Sequence, residues 1–479
     1  MVEIKKILGR SGSVVIEEIR MKKSLTLFSC VSILCSVTGH ISVFVAPTAI
    51  LKYTGSVGLS LILWIFGGVM NLFLALCFTE LATMFPKAGG PYFFILKVFG
   101  PFSGFMIMWG YILLITGPFW AFVSYCASLY ILQLFFVNCE PPDVAVKLFA
   151  VWILVSFVAI NCVYVKLVTK IQSILTLTKI LALLLIIVCG AISLATDGPE
   201  NISDVWEGTV DKPIVVAMAF FFSVFTFGGW QIVVNLMEEV KNPGRDLPRA
   251  IHVSFLIITL EFVLVNLAYY VVLTKREILQ SAAIAVLFFE KFYSPLKPVL
   301  SILVAVTAIG VLNASILGHS RVLLAAARNN QAPFFLSMIS TKFFTPWPAI
   351  FALLVWSSIM LLSGELFTFM ELISLFSLLL SLSVVVALLY LRWKQPHAER
   401  PYKASLYIPI SQLVLLVVVF MLCVYEEPYK LGRGLVILAA GIPFYIVGVK
   451  WKSKPKIYTN YMERLTLSVQ KTLLVSKSE

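Results

Sequence analysis

Long apolar blocks alternate with short polar segments along almost the whole chain. They fall at roughly 25–49, 56–82, 104–136, 147–165, 172–195, 213–237, 250–273, 295–325, 348–362, 367–391, 406–424 and 433–449. A helix needs about 20 apolar residues to cross the hydrocarbon core of a bilayer, so the pattern predicts an all-α membrane protein with about twelve transmembrane helices. The first twenty-odd residues are polar and the block after them is long enough to span, so no cleavable leader is expected.

Composition agrees. Of 479 residues 60% are hydrophobic and 13% charged, with a mean hydropathy of +0.97, more apolar surface than a soluble core hides. The net charge of +13 does not imply nucleic acid, because the basic residues lie between apolar blocks instead of gathering on one solvent face. Their placement reads as topology. With the N-terminus inside, roughly 27 of the 37 basic residues fall at cytoplasmic ends and segments, among them Lys5 to Lys23, Lys241 to Arg249, Arg321 and Arg328, Arg392 to Lys403, and Lys450 to Lys477. The acidic stretch Asp197 to Asp211 falls outside. Both termini are therefore expected to be cytoplasmic.

Backbone groups within a span must be paired, so polar, glycine-containing runs inside one need a reason. Two stand out: Ser36-Val37-Thr38-Gly39-His40-Ile41-Ser42 in span one and Thr226-Phe227-Gly228-Gly229-Trp230-Gln231 in span six. They correspond if spans one to five (25–195) and six to ten (213–391) are two copies of one inverted unit. Spans eleven and twelve then occupy 406–449, with cytoplasmic segments at 1–24 and 450–479. Interrupted helices in both halves mark a substrate site. The outer half of span one presents N–H groups and a positive dipole end to a carboxylate. The freed carbonyls of Thr38 and Phe225 suit an ammonium, so an α-amino acid matches both ends. The plainer reading is that these glycines only allow close helix packing.

Charged side chains inside spans are costly and functional by default. Lys179, in span five, is a site candidate whose ammonium can stand where other carriers bind sodium; the alternative is a lysine snorkelling to an interface. Glu261, in span seven, is a candidate for proton coupling or for pairing with a cation. Glu80, near a cytoplasmic end, reads as a cap or an interfacial pair. His40, His252, His319 and His397 are scattered without metal-ligand or triad spacing. No phosphate loop, zinc motif or nucleophile elbow appears, so neither enzyme chemistry nor a cofactor or metal is expected.

Seven of the eight cysteines lie in or beside spans and act as small apolar residues. Cys139 sits in the loop Asn138-Cys139-Glu140-Pro141-Pro142-Asp143, outside by this topology, with no obvious partner in the chain. An intermolecular disulfide or a free thiol both fit. The Asn201-Ile202-Ser203 sequon is also outside.

Several blocks, in this order and spacing, resemble the light chains of heteromeric amino-acid transporters, within the amino acid–polyamine–organocation superfamily. The most specific is Glu238-Glu239-Val240-Lys241-Asn242-Pro243-Gly244-Arg245-Asp246-Leu247-Pro248-Arg249-Ala250-Ile251. Phe78-Thr79-Glu80-Leu81, Phe227-Gly228-Gly229-Trp230, Asn266-Leu267-Ala268-Tyr269 and Glu399-Arg400-Pro401-Tyr402-Lys403 support it. The resemblance implies a LeuT-like core of five plus five spans, sodium-independent exchange with Lys179 as the span-five lysine, and Phe225 as an aromatic gate. It also implies that Cys139 is bonded to a single-span glycoprotein heavy chain. The Cys139-Glu140-Pro141-Pro142 loop is most similar to the b-zero-plus branch, which pairs with an rBAT-type heavy chain at the apical plasma membrane. Where the family usually has Gly-Ser-Gly-Ile-Phe, this chain reads His40-Ile41-Ser42-Val43-Phe44, and Arg328-Asn329-Asn330 replaces Arg-Glu-Gly.

Members that carry cationic substrates have an acid at the place of Gly228, and a substrate cation here would be desolvated without a partner. Neutral substrates are therefore expected. Space at Gly228 and the faces of Phe225, Phe227 and Trp230 favour large or aromatic side chains. The substrate-binding set is thus Thr38, Gly39, His40, Ile41, Ser42, Phe225 and Gly228. A proton-coupled symporter using Glu261 is the nearest alternative. A non-transporting escort or scaffold subunit, suggested by the altered span-one motif, is the other.

Overall fold

The computed structural model describes residues 21, 23–39, 42–44, 46–136, 139, 141–163, 165–281, 284–364, 366–426, 428–451, 453 and 455–477. Nearly all of its regular structure is helical, as lipid demands of a chain with no water to satisfy its backbone. The first half runs α1 (Leu27–Val37), α2 (Ala46–Thr54), α3 (Val57–Met84), α4 (Gly90–Phe99), α5 (Pro101–Gly110), a π-helical segment Tyr111–Thr116, α6 (Gly117–Leu132), α7 (Asp143–Asn161) and α8 (Val165–Asp197). The second continues with α9 (Pro213–Thr226), α10 (Gln231–Val234), α11 (Pro243–Val272), α12 (Lys275–Gln280), α13 (Ile284–Tyr293) and α14 (Lys297–Arg328). Strand β1 (Met338–Ser340) precedes α15 (Trp347–Ser363), α16 (Leu366–Lys394), α17 (Tyr407–Glu426), α18 (Pro428–Ala439), α19 (Gly441–Tyr445), α20 (Lys456–Leu473) and β2 (Val475–Lys477).

Among the described residues, ten helical stretches are long and apolar enough to cross a membrane, α5 and α6 counting as one stretch and α18 and α19 as another. The shorter apolar helices α9 and α15 bring the set to the predicted count, and the protein is a multi-pass membrane protein. Two helices start well before their predicted boundary: α8 at Val165 and α11 at Pro243. Charged and polar residues break up both starts, Lys166, Thr169, Lys170 and Gln172 in α8 and Arg245, Asp246 and Arg249 in α11, so hydropathy fades there while the helix continues; Pro243 suits an N1 position because the N–H it lacks has no helical partner there anyway.

Helix α14 packs on α6 and α8, and α11 on α1, α3 and α8, enclosing α1. Lys179, Leu183 and Ile186 of α8 face this core, while Ile174, Leu177, Leu181, Leu184, Val188 and Ile192 form an exposed apolar stripe on its other side. For a helix in lipid this is the expected division. Beyond the spans, β1 and β2 pair antiparallel, Ile339 opposite Ser476, so the end of the described chain is fastened to the segment after α14. The tail after Pro455 forms the amphipathic helix α20.

Two broken helices and a candidate substrate site

Both interruptions fall where the sequence placed them. α1 stops at Val37, and Thr38 turns extended (φ −69°, ψ 128°). Gly39 takes φ +77°, a left-handed conformation that suits glycine. A Cβ there would come within 2.0 Å of Phe262 Cζ. Ser42 N–H returns to the Gly39 carbonyl (2.9 Å). His40 and Ile41 lie outside the described residues. In span six, α9 ends at Thr226 and α10 resumes at Gln231, with Gly229 at φ +101° between them.

The breaks touch, because Gly39 N–H donates to the Gly228 carbonyl (3.2 Å). Side chains take over backbone bonds the interruption frees. Asn71 of α3 donates to the carbonyls of Val224 (2.8 Å) and Gly67 (3.0 Å) and accepts from Trp230 Nε1 (3.3 Å). Gln231 Oε1 accepts from Gly229 N–H (3.2 Å).

Lys179 is buried, and its Nζ donates to the carbonyls of Cys35 (2.9 Å), Ser36 (3.2 Å) and Thr38 (2.9 Å). Those are carbonyls at the open end of α1, which carries the negative pole of the helix dipole. All three protons of the ammonium are used. Thr176, one turn before Lys179, bonds the Ser32 carbonyl (3.0 Å) and holds α8 against α1. Buried Glu261 of α11 acts on Lys179 electrostatically through space. The two carbonyls assigned to a substrate ammonium are each engaged: Thr38 by Lys179 and Phe225 by Gly228 N–H (3.1 Å). Each carbonyl keeps a second lone pair.

A cavity of about 130 Å³ opens beside the span-six break. Phe225 and Gly228 line it; Thr38 and Gly39 are not among its described lining residues and connect to it through the Gly39–Gly228 bond. Opposite stand Tyr111, Ile115 and Phe119, with His319 from α14 and Ser377 and Ser381 from α16. Tyr111 begins the π-helical segment. The wide turn is explained by Gly117-Pro118, since Pro118 has no N–H to donate back. Asn235 Nδ2 donates to Tyr111 Oη (2.9 Å), and the His319 ring packs against those of Tyr111 and Phe119. Sequence reasoning missed Tyr111 and His319. The Gly-Pro pair inside span three was the available signal for the first; isolated His319 offered none.

The signature after span six is an anchor for ion pairs. Glu239 binds Arg321 of α14 (2.7 Å), both almost wholly buried, and Glu238 binds Arg328 (2.7 Å) at a partly exposed place. Glu80 is buried against Arg392 and Arg400, and it accepts from Ala404 N–H (2.9 Å), the pairing role the sequence suggested. Cys139 is exposed between α6 and α7.

Two interrupted helices that meet beside a small cavity, within a multi-pass helical bundle, define a membrane carrier. The amino acid permease family model matches residues 25–448. The chain is 34% identical to the human cystine/glutamate transporter over 97% of its own length and 92% of the relative. It is 34% identical to the rat large neutral amino acids transporter small subunit 2, covering 95% and 86%. It is 32% identical to the mouse Asc-type amino acid transporter 1, covering 94% and 86%. The chain belongs to the amino acid permease family, in the light-chain group that its motifs resemble, and amino-acid transport is the activity these relatives share.

Proposed function

We propose that the protein exchanges neutral, large or aromatic L-amino acids without sodium, as the light chain of a disulfide-linked heterodimer at the plasma membrane. The observation that carries this reading is the Lys179 ammonium bound by three carbonyls at the end of α1. A fixed cation there supplies the charge that a bound sodium ion supplies in related architectures, so no ion gradient is needed to complete the site. The carboxylate of the substrate is assigned to the span-one break at Gly39, His40, Ile41 and Ser42, where the N–H groups of Gly39 and Ser42 would exchange their bonds to the Gly228 and Gly39 carbonyls for it; its ammonium is assigned to the carbonyls of the two breaks, and Phe225 to the gate.

Substrate class rests on the cavity. No Asp, Glu, Lys or Arg is among its described lining residues, so a charged substrate side chain would lose its hydration without an opposite charge. Its volume of about 130 Å³ compares with a protein cavity of about 150 Å³ that accepts benzene. One aromatic or branched side chain fits that scale. The named substrates of the relatives differ among themselves and do not choose between them. An rBAT-type heavy chain is the proposed partner through Cys139, with apical delivery.

The test is uptake of radiolabelled tyrosine, leucine, cystine and arginine in cells expressing the chain with an rBAT-type heavy chain, with and without sodium. Sodium-independent tyrosine or leucine uptake, trans-stimulated by internal substrate and lost without the heavy chain, is expected. Arginine outcompeting tyrosine would refute the substrate class, uptake that follows a proton gradient would favour Glu261-coupled symport, and a silent protein at the surface would favour an escort role.

A further inference from the structure

Gln172, Thr176 and Lys179 are buried on one face of α8, and they do not all reach the same helix. Lys179 and Thr176 hold carbonyls of α1. Gln172, seven residues before Lys179 and about 10 Å away along the helix axis, meets α14 instead. Asn313 Nδ2 donates to Gln172 Oε1 (2.8 Å) and, more weakly, to the Val168 carbonyl (3.5 Å), both of α8. Asn313 Oδ1 accepts in turn from Asn161 Nδ2 of α7 (2.8 Å). All three amides are buried. Gly310, one turn before Asn313, lets α14 come this close: a Cβ there would stand 3.2 Å from Leu175 Cβ of α8 and 3.2 Å from Ser36 Oγ of α1.

The amides share one direction. Asn161 Nδ2 also donates to the Phe157 carbonyl one turn earlier in its own helix (2.9 Å), which fixes that amide. Asn313 therefore gives its oxygen to α7 and its Nδ2 to α8, and Gln172 turns its oxygen to Asn313. This leaves Gln172 Nε2 and Asn161 Oδ1 buried with no hydrogen-bond partner. Apolar side chains would pack α8 on α14 without that cost. What the amides add is geometry: a directional bond fixes the rotation and the height of α8, which apolar contacts leave free to slide.

We propose that Asn313, acting through Gln172, is a positioning residue for Lys179. The inference rests on the reading of Lys179 as the fixed cation of the transport site. Helix α8 lies between α1 and α14, with one polar clamp on each. Thr176 sets its distance from α1, and Asn313 sets its register against α14 and, through Asn161, against α7. With both clamps closed the ammonium meets three carbonyls at once. With the α14 clamp open, α8 is registered by α1 alone, and the ammonium loses its alignment with one or more of them.

The test is a double-mutant cycle on the full chain with its heavy chain. It reads maximal uptake per surface-biotinylated molecule of whichever of radiolabelled tyrosine, leucine, cystine or arginine the wild type carries. Asn313→Leu is expected to lower that rate about five-fold, and Gln172→Met about three-fold because the Val168 contact remains. In the Lys179→Gln background each is expected to cost less than about two-fold, since the group it positions is gone. A loss by the same factor in both backgrounds would make the amides ordinary packing and overturn the proposal, as would wild-type uptake by both single variants. If Lys179→Gln equals wild type, silence of both included, the reading of Lys179 falls and this one with it, a result distinct from equal losses beside an impaired Lys179→Gln. Gln172→Met keeps the length of the side chain, so it decides the matter where Asn313→Leu fails to reach the surface.

Discussion

Gly39 N–H donates to the carbonyl of Gly228 at 3.2 Å, joining the interruptions of two helices that are almost 190 residues apart in sequence. Neither break is an isolated defect: each supplies a backbone group that the other leaves over. Gly39→Ala would force a side chain to within 2.0 Å of Phe262 Cζ at a left-handed φ of +77°. Uptake is expected to fall below a tenth of wild type at equal surface abundance. Adding Phe262→Leu is expected to restore part of it, since the contact is relieved while the backbone strain stays.

Lys179→Ala leaves the carbonyls of Cys35, Ser36 and Thr38 without their donor. Charge-assisted bonds of this kind are each worth about 1.5–3 kcal/mol, so sodium-independent uptake is expected to drop more than ten-fold. Lys179→Gln, which keeps two donors but no charge, is expected to fall between. Uptake by the Ala variant equal to wild type, measured against surface biotinylation, would remove the cation argument.

The two ion pairs of the signature block should respond differently. Arg321 and Glu239 are 0% and 1% exposed, so removing one partner strands a buried charge at a cost of about 3–5 kcal/mol. Arg328 and Glu238 are 13% and 20% exposed, where a pair contributes about 1 kcal/mol or less. Arg321→Ala is expected to lower the melting temperature of the purified protein sharply and Arg328→Ala only slightly, read by size-exclusion chromatography after heating.

On the loop side, Glu277 caps α12 through Thr274 and binds Lys291 of α13 (2.8 Å), and these contacts hold its carboxyl at about 2 against the ordinary 4.5. A depressed carboxyl contributes stability that is complete above its unfolded value and is lost as pH falls through the folded one. Acidifying the medium from pH 7 to 5.5 therefore leaves the α12–α13 contact intact. Proteolytic sensitivity of this segment is expected to stay unchanged over that range, so any pH-dependence of uptake there must come from another group, Glu261 being the one to substitute.

Cys139 is exposed while six of the other cysteines are buried and Cys423 is half-buried. Non-reducing gels of cells co-expressing an rBAT-type heavy chain are expected to show a high-mass species that reductant collapses and Cys139→Ser abolishes. Its persistence in the Ser variant would move the linkage elsewhere.

The spans and the two breaks were legible because both follow from lipid: an uninterrupted helix needs about 20 apolar residues, and a polar, glycine-containing run inside one interrupts that pattern, at matching places in the two halves. Lys179 was legible for the same reason, as a charge where charges are costly. Its three carbonyl partners were not, since they depend on the approach of α8 to α1. Arg321 reads from the sequence only as a basic residue towards the inner end of span eight; that it lies buried in α14 against Glu239 is a tertiary pairing that hydropathy does not encode. His319 and Tyr111 join one cavity only through packing of α14 on α6. Helices α12 and α20 escaped because their sequences are largely polar, and α13 because its ten residues, although apolar, are too few to span.

The pairing of β2 with β1 makes the chain's end a built-in lever arm. Whatever displaces α14 also moves Met338–Ser340 and, through three paired residues, the tail. A fluorophore at Ser476, read against one on α5, would turn the rocking of the bundle into a distance signal recorded from the tail, with no label near the substrate.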